Sequence, residues 1–337
     1  MNKITKLGVS ALCGTLAAVS TANAGDLSVT GGVDMSWISL PKSETGNPIG
    51  IGSNYTLSGS GELDNGWTVA LSIAATNKMA YSTTNVTVTV PSIGDLIITQ
   101  GGTGKGIDRM DDVTPNVWEE AYGTGLSNGI QTVNGATTGA GIEWTPNMMP
   151  DGLTARLFYT PGVGGAAASE KAGAGAGVVD SNASGWDVTL VADESITGMA
   201  GLTIGGGYSS QDNTQASGDI SDSTVYATYA LGGFTVGYQW SEADLGTTTG
   251  AQQYDNDGYG ITFAVNDDLS IGYNHYESEQ DNGTAANVTN EATSVQIAYS
   301  MGGASVRLAS SEGDNMAYST AASGDRDMTV LSVSLAF

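Results

Sequence analysis

"MTVLSVSLAF", residues 328–337, ends the chain. Leu331, Val333, Leu335 and Phe337 are apolar, while Ser332, Ser334 and Ala336 between them are small or polar. Side chains of a strand point alternately to its two faces, so this is a strand with one greasy side, and the chain stops within it. The same period runs back through the sequence. "LSVTGGVDMSW" (27–37) sets Leu27, Val29, Val33, Met35 and Trp37 on one side; "GWTVALSIA" (66–74), "FTVGYQW" (234–240) and "YGITFAV" (259–265) repeat the pattern. Helical spacing of apolar residues is nearly absent.

The connections carry the next step. Short links rich in Gly, Asn and Asp fall at 64–66, 91–92, 147–151, 194–199, 232–233, 266–268 and 301–303, as tight hairpins require. Longer polar segments fall at 41–49, 78–83, 101–137, 161–184, 211–221, 243–256, 278–290 and 311–326. Short and long alternate throughout, which predicts sixteen antiparallel strands with both termini on the short-turn side. A soluble sandwich has no reason to sort its connections by end. A closed transmembrane β-barrel does, with brief inner turns and longer outer loops, strands of about ten residues and an apolar band about 25 Å tall. Trp67, Trp144, Phe234 and Phe337 fall near the turn end, and Trp37, Trp186, Tyr208 and Trp240 near the loop end, as two interfacial girdles do. The closing strand then pairs with the strand at Leu27 so that no edge remains. A terminal Phe337 after alternating apolar residues also resembles the signal by which outer-membrane proteins reach their assembly machinery.

The first 24 residues are of another kind. Lys3 and Lys6 precede an apolar run from Leu7 to Val19, and Ala22-Asn23-Ala24 is an A-x-A cleavage site, so 1–24 reads as a secretory leader and 25–337 as the barrel domain. The run is shorter than the roughly 20 residues a membrane helix needs. Cys13 lies in the leader, which leaves the mature chain without cysteine and without thiol chemistry. The full chain has ten Lys and Arg against 35 Asp and Glu, a net charge of −25; two of the ten, Lys3 and Lys6, leave with the leader. Such a field excludes nucleic acid as a partner and attracts cations. One histidine, His275, permits neither a Ser/His/Asp set nor a histidine metal site, and it is placed in a girdle. "GGTGKG" (101–106) lacks the Ser or Thr a phosphate loop needs after its lysine.

"GDLIITQGGTGKGIDRMDDVTPNVWEEAYG" (94–123), "GIEWTPNMMPDGLTARLFYTP" (141–161) and "GYGITFAVNDDLSIGYNHY" (258–276) together resemble the trimeric general porins of Gram-negative bacteria, in the manner of alphaproteobacterial members. The resemblance covers 25–337. It implies an outer-membrane homotrimer among lipid and lipopolysaccharide, a water-filled channel for passive diffusion of small hydrophilic solutes and ions, with a third loop folded into the barrel. In one respect the sequence departs from well-known members: its early strands supply no arginine to face the acidic loop.

The connection 101–137 is too long for an idle link. It holds Asp108, Asp111, Asp112, Glu119 and Glu120 against Lys105 and Arg109. Read as the constriction loop, these carboxylates raise the local cation concentration and make the channel cation-preferring; an acidic surface loop is the alternative. Thr114-Pro115 and Gly123 predict one or two helical turns over "PNVWEEAY" (115–122). No cofactor is expected, although a Ca2+ ion among these carboxylates is chemically feasible. Period 2 points Asp34, Glu62, Glu143, Arg156, Asp187 and Arg307 into the lumen, Arg156 and Arg307 being the strand-borne arginines. A substrate-specific channel would want an aromatic slide or Arg cluster, for which Phe158, Tyr226 and Tyr276 are few. A calcium-binding structural protein would want a G-G-x-G-x-D repeat, and none recurs.

Overall fold

Whether the alternating apolar side chains meet one another or face outward decides the architecture. They face outward. Val29 is 55% exposed, Ile51 71% and Val295 54%, whereas Ser209, Ser278, Asn290 and Ser332 on the opposite faces of strands are wholly buried. The molecule is apolar outside and polar inside, the reverse of a soluble sandwich.

The computed structural model describes residues 23–24, 27–39, 46–100, 104–126, 128–136, 140–163, 183–213 and 218–336. Sixteen strands form the wall: β1 Ser28–Ile38, β2 Ile49–Glu62, β3 Thr68–Thr76, β4 Ala80–Val90, β5 Gly94–Gln100, β6 Gly141–Pro146, β7 Leu153–Val163 and β8 Ala183–Ala192. The second half comprises β9 Leu202–Gln211, β10 Ile220–Leu231, β11 Phe234–Asp244, β12 Gln253–Ala264, β13 Leu269–Asp281, β14 Val288–Met301, β15 Ala304–Asp314 and β16 Arg326–Ala336. Each pairs antiparallel with the next. The ring closes where Leu331, Val333 and Leu335 of β16 pair with Trp37, Met35 and Val33 of β1. The chain therefore ends in a strand because that strand has a partner on both sides. Asn23–Ala24, the end of the expected leader, adds a two-residue pairing to Glu62 and Gly61. Phe337 lies outside the described residues.

Three expectations are corrected. The loop expected at 78–83 is only a 3-10 turn, Asn77–Met79, and β4 starts at Ala80. The loops expected at 243–256, 278–290 and 311–326 likewise shrink, because strands continue to pair after their outward residues turn polar: Asp255 sits opposite Glu279, and Glu277 opposite Glu291. Polarity there marks height above the apolar band rather than the end of a strand. Residues 115–122 are not helical, because the Trp118 and Glu119 N–H groups donate to Gln296 Oε1 on β14 instead of to carbonyls of the preceding turn; only a turn at Glu120–Thr124 forms. In addition, β16 opens at Arg326, a third strand-borne arginine.

Candidate functional site

The connection between β5 and β6 does not stay outside. Its first limb begins with a 3-10 turn, Gly106–Met110, and runs along the inner wall from β6 to β15; a second limb returns above it. The contacts trace the path. The Gly106 N–H donates to Glu143 Oε2 on β6 (2.8 Å) and the Ile107 N–H to Asp187 Oδ2 on β8 (3.1 Å). Pro115 crosses β11 and β12, where wall glycines make room: a Cβ on Gly260 would stand 2.1 Å from the Pro115 carbonyl oxygen, and one on Gly237 2.5 Å from Pro115 Cδ. The Thr114 hydroxyl meets that of Tyr276 on β13. At the far side Trp118 lies under Arg307 of β15, the guanidinium carbon 5.6 Å from the ring centroid.

Two kinds of wall group hold this loop. Carboxylates take its N–H groups: besides the two above, Asp187 Oδ1 accepts from Ala136 (3.0 Å) and Asp222 Oδ2 of β10 from Gly135 (2.6 Å). Carboxamides satisfy its carbonyls: Gln211 of β9 donates to Gly135 O (2.6 Å), Asn256 of β12 to Gln131 O (3.0 Å), Asn274 of β13 to Glu119 O (3.3 Å) and Asn290 of β14 to Asn128 O (2.9 Å). Gln239 does the same for Met110 O and Gln296 for Glu119 O. Each such bond is worth about 1 kcal/mol net, and leaving a buried loop carbonyl unpaired would cost more. An apolar cluster of Ala121, Leu126, Ile130, Tyr276, Ala292, Met316 and Met328 completes the seat.

The expected site residues therefore divide. Asp112 and Glu119 are exposed, and Asp108, Arg109 and Asp111 half-buried; a cavity of about 380 Å³ opens among Gly104, Asp108, Arg109, Asp111 and Asp112. Glu120 is 3% exposed and bonded to the Asn116 amide, so it does not line open water. Glu143 and Asp187 do point inward as period 2 requires, but lie wholly beneath the loop's base, where they hold backbone rather than face solute. Glu143 also takes both Arg109 Nη2 (2.5 Å) and Nε (3.2 Å). Arg156 stands within electrostatic range of that pair. Asp34 receives Arg307 Nη2 (3.1 Å) and the Ser332 hydroxyl (2.7 Å), one wall ion pair. Glu62 is exposed at the turn end. His275 faces outward, its ring 5.0 Å from that of Tyr259 and its Nδ1 2.9 Å from the Thr293 hydroxyl, the girdle position expected.

The loop's acids differ in their protons. Burial first, then the charges of Asp112 and Asp108, push Asp111 up to about 8. Burial, then a hydrogen bond with Glu119, pushes Glu120 up to about 9. Burial also raises Asp108 and lowers Lys105. Among the described residues, no three carboxylate or imidazole groups are arranged to hold a metal ion, so the calcium expectation finds no such group there.

Across from the loop, β1–β4 surround a cavity lined by Ser28, Ser58, Ser60, Ser72, Asn85 and Thr87 together with Gly59, Ala70 and Leu71; the charge on their inner face is Asp34, paired with Arg307. No arginine or lysine belongs to β1–β5. The lumen thus has an acidic loop on one side and hydroxyls on the other.

The sequence model of the Gram-negative porin family matches residues 8–300. The chain belongs to that family. As a porin it is an outer-membrane channel for diffusion. No curated protein matches it in sequence. Among solved structures, a porin refined at 1.8 Å is 15% identical, covering 93% of this chain and 100% of its own with a TM-score of 0.64. OmpF of Salmonella typhi, in complex with daunomycin, is 11% identical, covering 93% and 98%, with a TM-score of 0.66. OmpT of Vibrio cholerae in its trimer form is 12% identical, covering 94% and 100%, with a TM-score of 0.63. At these identities the likeness is one of fold.

The wall amides and glycines that seat the loop were not singled out by their sequence. The signal that marks them is a break in the alternation: Phe158, Tyr276, Met328 and Val330 are apolar on the inner face, and all four are buried.

Proposed function

We propose that this porin is a passive, cation-preferring diffusion channel whose eyelet lies between the inward loop and the hydroxyl wall of β1–β4. The observation that carries the reading is the placement of Asp108, Asp111, Asp112 and Glu119 along the loop with no arginine or lysine on the facing strands. Carboxylates bordering a narrow aqueous path raise local cation concentration and repel anions. Arg109 is tied to Glu143, and Arg307 to Asp34, so each has a carboxylate directly beside it. The family and the trimeric neighbour favour a homotrimer, embedded among lipid and lipopolysaccharide, delivered after cleavage of residues 1–24 and inserted by the assembly machinery that reads Phe337.

The test is the reversal potential of single channels in a planar bilayer across a salt gradient. A cation-selective sign is expected, and replacement of Asp108, Asp111 and Asp112 together by Asn should move it toward zero. An anion-selective wild type, or unchanged selectivity in the triple variant, would overturn the reading.

A further inference from the structure

The connection after β15 carries backbone strain. Asn315, Ala317 and Tyr318 have φ of 51°, 54° and 56°. Asparagine visits this left-handed region readily, but alanine and tyrosine meet a steric penalty there. Such residues persist where neighbouring contacts over-determine them. Here the contacts are with the returning limb of the inward loop. The Ala317 N–H donates to the Asn128 carbonyl (2.7 Å). The Tyr318 hydroxyl accepts from the Gln131 N–H (3.2 Å) and shares a hydrogen bond with Ser278 on β13 (2.7 Å). Met316, 5% exposed, enters the apolar cluster with Leu126 and Ile130. It fills the space that Gly313 leaves open, where a Cβ would stand 3.1 Å from Met316 Sδ and 3.3 Å from Leu126 Cδ1.

We infer that residues 315–318 form a strap, reaching in from the loop end of the barrel, that fixes the inward loop in place, and that Met316 and Tyr318 are positioning residues for ion selectivity. Leu126, which the strap grips, lies two residues past the Glu120–Thr124 turn. Loss of the grip removes one of two anchors of the acidic tip, leaving Glu119 held only by Gln296 and Asn274 of the wall, and lets it shift from the ion path. The selectivity of the channel is then set by two external connections rather than one. The inference rests on the constriction reading proposed above.

The experiment compares wild type with the M316A/Y318F double variant in planar bilayers, reading the reversal potential across a salt gradient. Gel mobility before and after heating verifies that the barrel is assembled. The cation-to-anion permeability ratio should fall about twofold, the scale Coulomb's law gives when the one carboxylate of Glu119 retreats by about 3 Å. A second variant guards against a merely structural effect. A Cβ on Gly129 would lie 3.7 Å from Ala317 Cβ, within disulfide reach, although Gly129 has a φ of 77° and a cysteine there adds backbone strain; the chain's one cysteine, Cys13, lies in the leader whose removal is proposed. Gly129→Cys with Ala317→Cys should cross-link on oxidation and, added to M316A/Y318F, restore the wild-type ratio when oxidised and lose it when reduced. An assembled M316A/Y318F channel with an unchanged ratio, or a cross-link that forms and restores nothing, would overturn the strap. Should the double variant not assemble, Tyr318→Phe alone is read in the same way. Failure of the constriction reading looks different: neutralising Asp108, Asp111 and Asp112 would then leave selectivity untouched.

Discussion

Raising the pH should sharpen cation preference well above neutrality, where ordinary carboxylates have long since ionised. Burial pushes Asp111 up to about 8 and Glu120 up to about 9. Below those values each holds its proton and is neutral; above them each adds one negative charge to the loop. An ion passing at about 7 Å in pore water feels about 0.6 kcal/mol from a unit charge. Screening in about 0.1 M salt halves this to about 0.3 kcal/mol. A cation gains that amount and an anion loses it, so two new charges separate them by about 1.2 kcal/mol, about an eightfold rise in the permeability ratio. The assay is the reversal potential across a fixed salt gradient, titrated from about pH 6.5 to about pH 9.5. Lys105, its pKa lowered by burial, loses charge in the same direction, so the decisive control is Asp111→Asn. That variant should match wild type at the acid end, where Asp111 is already neutral, and keep only about a threefold rise. A flat wild-type profile, or a full rise in Asp111→Asn, would refute the reasoning.

Other changes test the loop's seat. Gly260→Val places side-chain atoms where the Pro115 carbonyl now lies; overpacking costs about 1–3 kcal/mol, so the loop should lift and unit conductance increase while the barrel stays assembled, and an unchanged conductance would place Pro115 elsewhere. Glu143→Gln removes the buried partner of Arg109 while Gly106 keeps an acceptor. Because the Arg109 side chain is 30% exposed, the loss should be about 1–3 kcal/mol rather than that of a fully buried pair, read as a lower thermal midpoint in detergent. Mass spectrometry of the protein purified from outer membranes should give a chain beginning at Gly25; a retained leader would contradict the reading of residues 1–24.

Period 2 made the barrel legible because two different solvents act on every strand. Val29, Val295 and Leu331 had to face hydrocarbon, and Ser332 had to face inward, whatever the local propensity. The length and acidity of 101–137 likewise marked it as special. What alternation supplies is a face, not what covers that face. Glu143 and Asp187 point inward as expected, yet the loop's own backbone lies over them. Gln239, Asn256 and Asn274 look like any polar lining until a loop carbonyl is placed against them. The boundaries of β12, β13 and β15 were hidden for a related reason: hydrogen bonding between strands continues above the hydrocarbon, where Asp255, Glu279 and Asp314 no longer carry the apolar signal. The helix expected at 115–122 fails because the wall, through Gln296, competes for the backbone donors a helix would use.

The account turns on a closed ring of strands with water on one side and lipid on the other. The chain's single cysteine, Cys13, falls in the leader whose removal is proposed, which makes this directly testable on β3, where Ser72 lines the inner cavity and Val69 and Ile73 belong to the apolar alternation. Single cysteines at these three positions are exposed, in membranes, to a charged, membrane-impermeant thiol reagent. Ser72→Cys should react and its modification should lower unit conductance, while Val69→Cys and Ile73→Cys stay unmodified. Equal reactivity at all three, or reaction at Val69 and Ile73 with Ser72 silent, would contradict the channel.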